Sequence, residues 1–178
     1  TPSIFPGNNF NLDLDVAPDG GVAISYITNG NGIQATYVMY SSSPQGSFTA
    51  AEIVSPKDGA FTQTQESDVT ISNGGKVVAM WQQYDTNLEE WKLRYNTKLA
   101  GNPLWSGAQL MTPDSIDDGI DFELETTGNG TAVALWAHRN RRTLSTATSA
   151  LASPIFSAQK DLTPGTVNNF PYLFTLRT

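Results

Sequence analysis

Three stretches of this 178-residue chain hold side chains whose types and spacing could do chemistry. The first is "QQYDTNLEEWKLRY", where Tyr84, Asp85, Glu89 and Trp91 set aromatic rings beside carboxylates. That composition is common on sugar-binding faces, where C–H groups stack on indole and hydroxyls bond to carboxylates. The competing reading makes Trp91 a cap on the apolar interior. Glu89 and Glu90 do not read as a hydrolytic pair, because adjacent residues seldom point into one cleft and glycoside hydrolysis needs two separated carboxyls. The second stretch is "WAHRNRRT", with His138, Arg139, Arg141 and Arg142. Guanidinium groups grip carboxylates or phosphates through paired hydrogen bonds. The same cluster is equally suited to pairing with a neighbouring acidic loop, and His138 is no general base without a partner. The third is "TPDSIDDGID", whose Asp114, Asp117, Asp118 and Asp121 form a donor set suited to Ca²⁺. Their spacing is not that of an EF-hand, and the plainer reading is a solvated acidic loop.

Composition narrows the field. The chain has no cysteine and one histidine, so disulfides and thiol catalysis are excluded. A net charge of −7 disfavours nucleic acid and anionic lipid as partners. No apolar run approaches the roughly 20 residues that span a bilayer. Phosphate-binding glycine loops, nucleophile elbows and zinc-ligand spacings are absent. No cofactor is expected beyond that one calcium reading. Few lysines, many Ser, Thr, Asn and Gly, and no disulfides point to an exported bacterial protein: secreted, periplasmic or at the cell surface.

The elements that must position these stretches are written in a repeat. Tyr26, Trp81 and Trp136 each close a short apolar run, 55 residues apart (81 − 26 and 136 − 81). A second marker recurs in the same order: Phe48, Trp105 and Phe156 each stand eight residues before a proline. Each unit reads as four strands, in the first "LDLDV", "VAISYI", "QATYVMYSS" and "AEIVS", with a glycine turn joining the first two. The runs "VAISY", "VVAMW" and "AVALW" are apolar on both faces, as strands covered from both sides are. Ala23, Ala79 and Ala134 are expected to hold one place in the three units, and Trp81, Trp136, Phe48, Trp105 and Phe156 to be core. Asp13, Asp68 and Glu123 also recur at 55-residue intervals, on the innermost strand (68 − 13 and 123 − 68). Such a residue either binds once per unit or bonds backbone N–H groups between units. Leu173 at that place in a fourth unit favours the second role.

Four-stranded sheets stacked face to face make a β-propeller. The glycine turn before "VAxxW", and a later "W-S" before "L-x-x-P", resemble bacterial secreted propeller repeats of sialidase-like architecture. The resemblance covers residues 6 to 178 and implies the fold more than any activity. The S-x-D-x-G-x-x-W box of sialidase-type propellers is missing. The arginines are Arg94, Arg139, Arg141, Arg142 and Arg177, three of them in one loop, so no sialidase triad is expected.

The expected architecture is therefore an all-β segment of three four-stranded antiparallel blades plus the first strand of a fourth, with a β-trefoil as the alternative. Residues 1–178 are read as one domain, with units at about 8–58, 59–115 and 116–166 and a partial unit at 167–178. Three blades are too few to close, so the chain is expected to self-associate, as a homodimer of six blades, or to belong to a longer propeller. The functional expectation is a non-catalytic binding or scaffold module that recognises a glycan or a protein through its rim loops. The alternatives are a glycoside hydrolase or lyase on the same rim, and a purely structural surface-protein repeat.

Overall fold

The computed structural model describes residues 8–30, 33–56, 63–112, 121–138 and 143–162. These residues form three antiparallel four-stranded sheets, and no helix occurs among them. The first sheet runs β1 (Asn8–Val16), β2 (Val22–Gly30), β3 (Ile33–Ser41) and β4 (Glu52–Ile53), each paired with the next. The second follows the same order with β5 (Gln63–Ile71), β6 (Val77–Asp85), β7 (Glu90–Lys98) and β8 (Gln109–Leu110). The third is β9 (Phe122–Thr126), β10 (Ala132–His138), β11 (Thr143–Ser149) and β12 (Lys160–Asp161). The sheets fall inside the three expected units. The expected fourth strand, at residues 167–178, lies outside the described residues.

One turn closes the first hairpin of every sheet. Gly20, Gly75 and Gly130 occupy matching positions at φ of 85°, 85° and 80°, and each donates its N–H to a carbonyl three residues back. Glycine is required there because a Cβ would be strained at that φ. At Gly130 a Cβ would also stand 2.7 Å from Leu151 Cδ1.

Two apolar layers hold the sheets face to face. Between the first and second lie Ala23, Val38, Val54, Val69, Ile71, Ala79 and Trp81. Between the second and third lie Met80, Leu93, Tyr95, Leu124, Ala134, Trp136 and Phe156. Trp81 and Trp136 are fully buried, each contributing about 2–3 kcal/mol through lost water contact.

The strand register corrects two expectations. Leu14 faces Ile24, Val69 faces Ala79 and Leu124 faces Ala134 across their hairpins. Ile24, not Ala23, is therefore the counterpart of Ala79 and Ala134. Ala23 pairs with Asp15 and points to the opposite side, into the layer shared with the second sheet. All three alanines are buried. The second correction concerns the aromatic marker. Phe156 is buried against Tyr95, with ring centroids 4.8 Å apart, and Trp105 is half-buried against the layer containing Tyr40. Phe48 is exposed. Each ring packs on the third strand of the preceding sheet, and no described sheet precedes the first.

Candidate functional site

The first strands of the units, β1, β5 and β9, run beside one another across both interfaces. Their side chains alternate, as strands dictate: one set joins the apolar layers and the other set is polar. The polar set repeats as three tiers, Asn11/Glu66/Asp121, Asp13/Asp68/Glu123 and Asp15/Thr70/Glu125, each at 55-residue steps. The tier at 13, 68 and 123 was legible as a repeat. The other two were not singled out, because their residue types differ from unit to unit.

These side chains tie sheet to sheet. Asn11 Oδ1 accepts the N–H of Ser67 at 2.9 Å, Asp13 Oδ2 that of Val69 at 2.9 Å, and Asp15 Oδ2 that of Ile71 at 2.8 Å. The second seam repeats the device, with Asp68 Oδ2 accepting from Leu124 N at 2.7 Å. Backbones of stacked sheets are too far apart to pair directly. A short side-chain acceptor bridges the gap, so Asp13 and Asp68 serve the inter-unit role that the sequence favoured. At the far rim Asp19 repeats the logic, accepting from Gly74 N at 2.8 Å, and this bond holds its carboxyl below the usual range.

At one end of β1 and β5 the strands bulge. The register shifts between Phe10 and Leu12 and again between Gln65 and Ser67, and the inserted residues, Asn11 and Glu66, have φ of 52° and 42°. Bulges re-aim side chains and gather at sites. Here they open a cleft of about 340 Å³ lined by Asn11, Asp13, Glu66, Ser67, Asp68, Phe122 and Glu123, with Leu12 at its edge.

The electrostatics of the cleft are those of crowded carboxyls. Burial, then the neighbouring Asp13 charge and a hydrogen bond to Asp13, push the Asp68 carboxyl well above its ordinary range. Glu123 is raised by burial first and then by Glu125, Asp13 and Asp121, and Glu125 by burial first and then by Asp15. The Asp68 carboxyl, buried beside Asp13, is thereby pushed toward its protonated form. Among the described residues, no group of three or more His, Asp or Glu has a geometry that could hold a metal ion.

The remaining sequence candidates divide. Tyr84, Asp85, Glu89 and Trp91 do come together, at the β6–β7 hairpin. Tyr84 and Trp91 face each other across the strands in an edge-on contact at 5.4 Å. Trp91 is half-buried and packs, like Phe122, on the layer between the second and third sheets, so its ring is engaged with the interior. Asp85 is buried and its Oδ1 accepts from Asn87 N and Leu88 N at 3.0 and 3.2 Å, which makes it the keystone of the turn. Glu89 is exposed at a φ of 55°. Asp121 precedes β9, and its carbonyl accepts from Ala137 N at 3.1 Å. His138 ends β10 opposite Thr143. Arg139, Arg141, Asp114, Asp117 and Asp118 lie outside the described residues.

No protein-family model and no curated protein matches the chain. Among solved structures, it is similar to a protein of unknown function from Dyadobacter fermentans, at 12% identity and a TM-score of 0.53. The match covers 88% of this chain and 52% of that one, so this chain spans about half the length of that structure. The likeness is one of fold.

Proposed function

We propose that the three sheets are consecutive blades of a β-propeller, and that the chain is a non-catalytic binding module of an exported protein whose rim takes a glycan without acidic groups. The propeller reading is supported by pairing confined to each unit in the order one to four, with first strands side by side; a trefoil would share strands in a common barrel. The binding reading rests on one observation, the chemistry of the cleft. Its described lining offers carboxylate, amide and hydroxyl acceptors beside the Phe122 ring and no basic group. Sugar hydroxyls donate to the carboxylates that dominate this lining, and an anionic ligand would be repelled. Trp91, on the β6–β7 hairpin, packs on the same apolar layer as Phe122.

Hydrolysis is disfavoured by the geometry of the carboxyls. Glycosidase pairs stand about 5–5.5 Å or 6.5–9.5 Å apart. Asp13 and Asp68 are neighbours whose carboxyls are each held by a backbone N–H of the next unit, not free to face each other across a substrate.

The test is an array of neutral and acidic glycans, then calorimetric titration of the best neutral binder. Glu66→Gln and Phe122→Leu are expected to weaken binding about tenfold or more while the bound glycan is recovered uncleaved. Preference for sialylated or uronate glycans, unaltered affinity in both variants, or release of new reducing ends would each overturn the reading. A protein ligand at the same rim would show as pull-down that Glu66→Gln abolishes without any glycan signal, and would replace the glycan assignment.

A further inference from the structure

The outer side of the first sheet carries Leu12, Leu14 and Val16, which are 62%, 53% and 54% exposed. The positions matching Leu14 and Val16 in the second sheet, Val69 and Ile71, are each 1% exposed, and Leu124, which matches Leu14 in the third, is 3% exposed. What covers those two sheets is the back of the sheet before them. Beside the buried Tyr26, the first sheet thus presents in the open Leu14 and Val16, whose counterparts Val69, Ile71 and Leu124 receive another sheet, together with Phe48, whose counterpart Phe156 is buried.

The back of the third sheet is built to be such a cover. Glu123 stands where Asp13 and Asp68 stand, and Glu125 where Asp15 stands. Both carboxyls are raised by burial and by neighbouring acids, and N–H donors of a further first strand would relieve that crowding. The apolar surfaces also differ in a complementary sense. The second sheet backs onto the small Ala134 of the third with the large Tyr95. The residue of the third sheet matching Tyr95 is Thr146, opposite Leu135 on β10, and the residue of the first sheet matching Ala134 is Ile24, opposite Leu14 on β1. A small back meets a bulky front.

We propose that the open face of the first sheet is the docking site for the third sheet of a second copy of this chain, head to tail. Two such contacts close a ring of six sheets, consistent with a fold of which this chain spans about half. The Glu123 carboxylate then accepts from the N–H of Leu14, as Asp13 does from Val69 and Asp68 from Leu124. This rests on the blade reading of the sheets and is independent of what the rim binds.

The test is sedimentation of the 178-residue chain over a wide concentration range, with Leu14→Glu beside it. The expected result is twice the 19.2 kDa chain mass for the wild type and the single mass for Leu14→Glu, with an unchanged far-ultraviolet spectrum. Because the chain has no cysteine, Leu14→Cys and Glu123→Cys can be mixed and joined by a short bis-maleimide. Linkage of position 14 to position 123, and not of 14 to 14, is expected. A monomer at all concentrations overturns the proposal. So does a dimer linked 14 to 14, which would be a front-to-front contact. Glycan titration of the monomeric Leu14→Glu variant separates this failure from failure of the rim reading.

Discussion

Asp68 offers the most direct test of the carboxylate seam. Its Oδ2 accepts from Leu124 N at 2.7 Å, and its carboxyl is buried beside Asp13. The folded state raises its pKa, so it retains a proton that the unfolded chain releases near pH 4. A carboxyl raised on folding contributes stability that is full below the unfolded pKa and is lost as pH rises through the folded one. Asp68→Asn keeps an oxygen acceptor for Leu124 and replaces the raised carboxyl with an amide that does not titrate. The variant should match the wild type near pH 4 and exceed it increasingly toward pH 8. Asp68→Ala removes the acceptor and leaves the Leu124 N–H without it. Relative to Asp68→Asn, that should cost about 1–3 kcal/mol at every pH, or roughly 2–4 °C in Tm for each kcal/mol in a domain of this size. Urea unfolding from pH 4 to 9, followed by fluorescence of the buried Trp81 and Trp136, measures both. Glu123 and Glu125 titrate in the same sense, so the decisive quantity is the difference between Asp68→Asn and wild type. A difference that is flat, or that falls with rising pH, refutes the raised Asp68 carboxyl.

The remaining predictions concern other parts of the scaffold. Lys76 is buried with its Nζ donating to Ser149 Oγ, Ser149 O and Ala150 O at 2.9, 3.2 and 2.7 Å, and burial lowers its pKa to about 8. The unfolded chain binds the extra proton between that value and the ordinary 10.5, so stability should rise with pH across this window, and Lys76→Met should remove the rise in a urea titration carried through that window. Gly75→Ala should cost about 1 kcal/mol through its φ alone, whereas Gly130→Ala should cost more because the new methyl also meets Leu151 at 2.7 Å; thermal melts rank the two. Phe156→Ala should destabilise by about 3–5 kcal/mol whatever the protein concentration, while Phe48→Ala should leave the melt of the single chain unchanged and weaken only self-association.

The 55-residue spacing of Tyr26, Trp81 and Trp136 was enough to read three four-stranded units, because burying one aromatic per sheet demands the same turn and the same strand each time. The side of the sheet to which an alanine points was not legible. In "VAISY" both faces are apolar, so a slip by one residue contradicts no pattern, and Ala23 was assigned to the place that Ile24 holds. Phe48 failed for another reason. Its local sequence matches Trp105 and Phe156, but its burial depends on a sheet that its own neighbours in sequence do not encode. The cleft was half legible: the carboxylates at 13, 68 and 123 stood out by interval. The bulges at Asn11 and Glu66 that open it are conformations that no residue type in the stretch requires.

The polar tiers also explain how one strand can serve two purposes. Stacked sheets need apolar side chains toward the preceding unit and a means of anchoring the next one. Alternation in β1 supplies both, with Leu12, Leu14 and Val16 on one side and Asp13 and Asp15 on the other. The acids of the first unit are aspartates, whose single methylene sets the reach to Val69 and Ile71. In the third unit both become glutamates, at 123 and 125, one methylene longer. A seam made by them bridges a wider gap than the two internal seams do. Ile24 of the first sheet, standing where the others have Ala79 and Ala134, calls for that extra width, so an aspartate at 123 should weaken the contact between copies while leaving each chain as stable as before. Sedimentation of Glu123→Asp against wild type reads this directly, and undiminished association would show that Glu123 does not carry the outer seam.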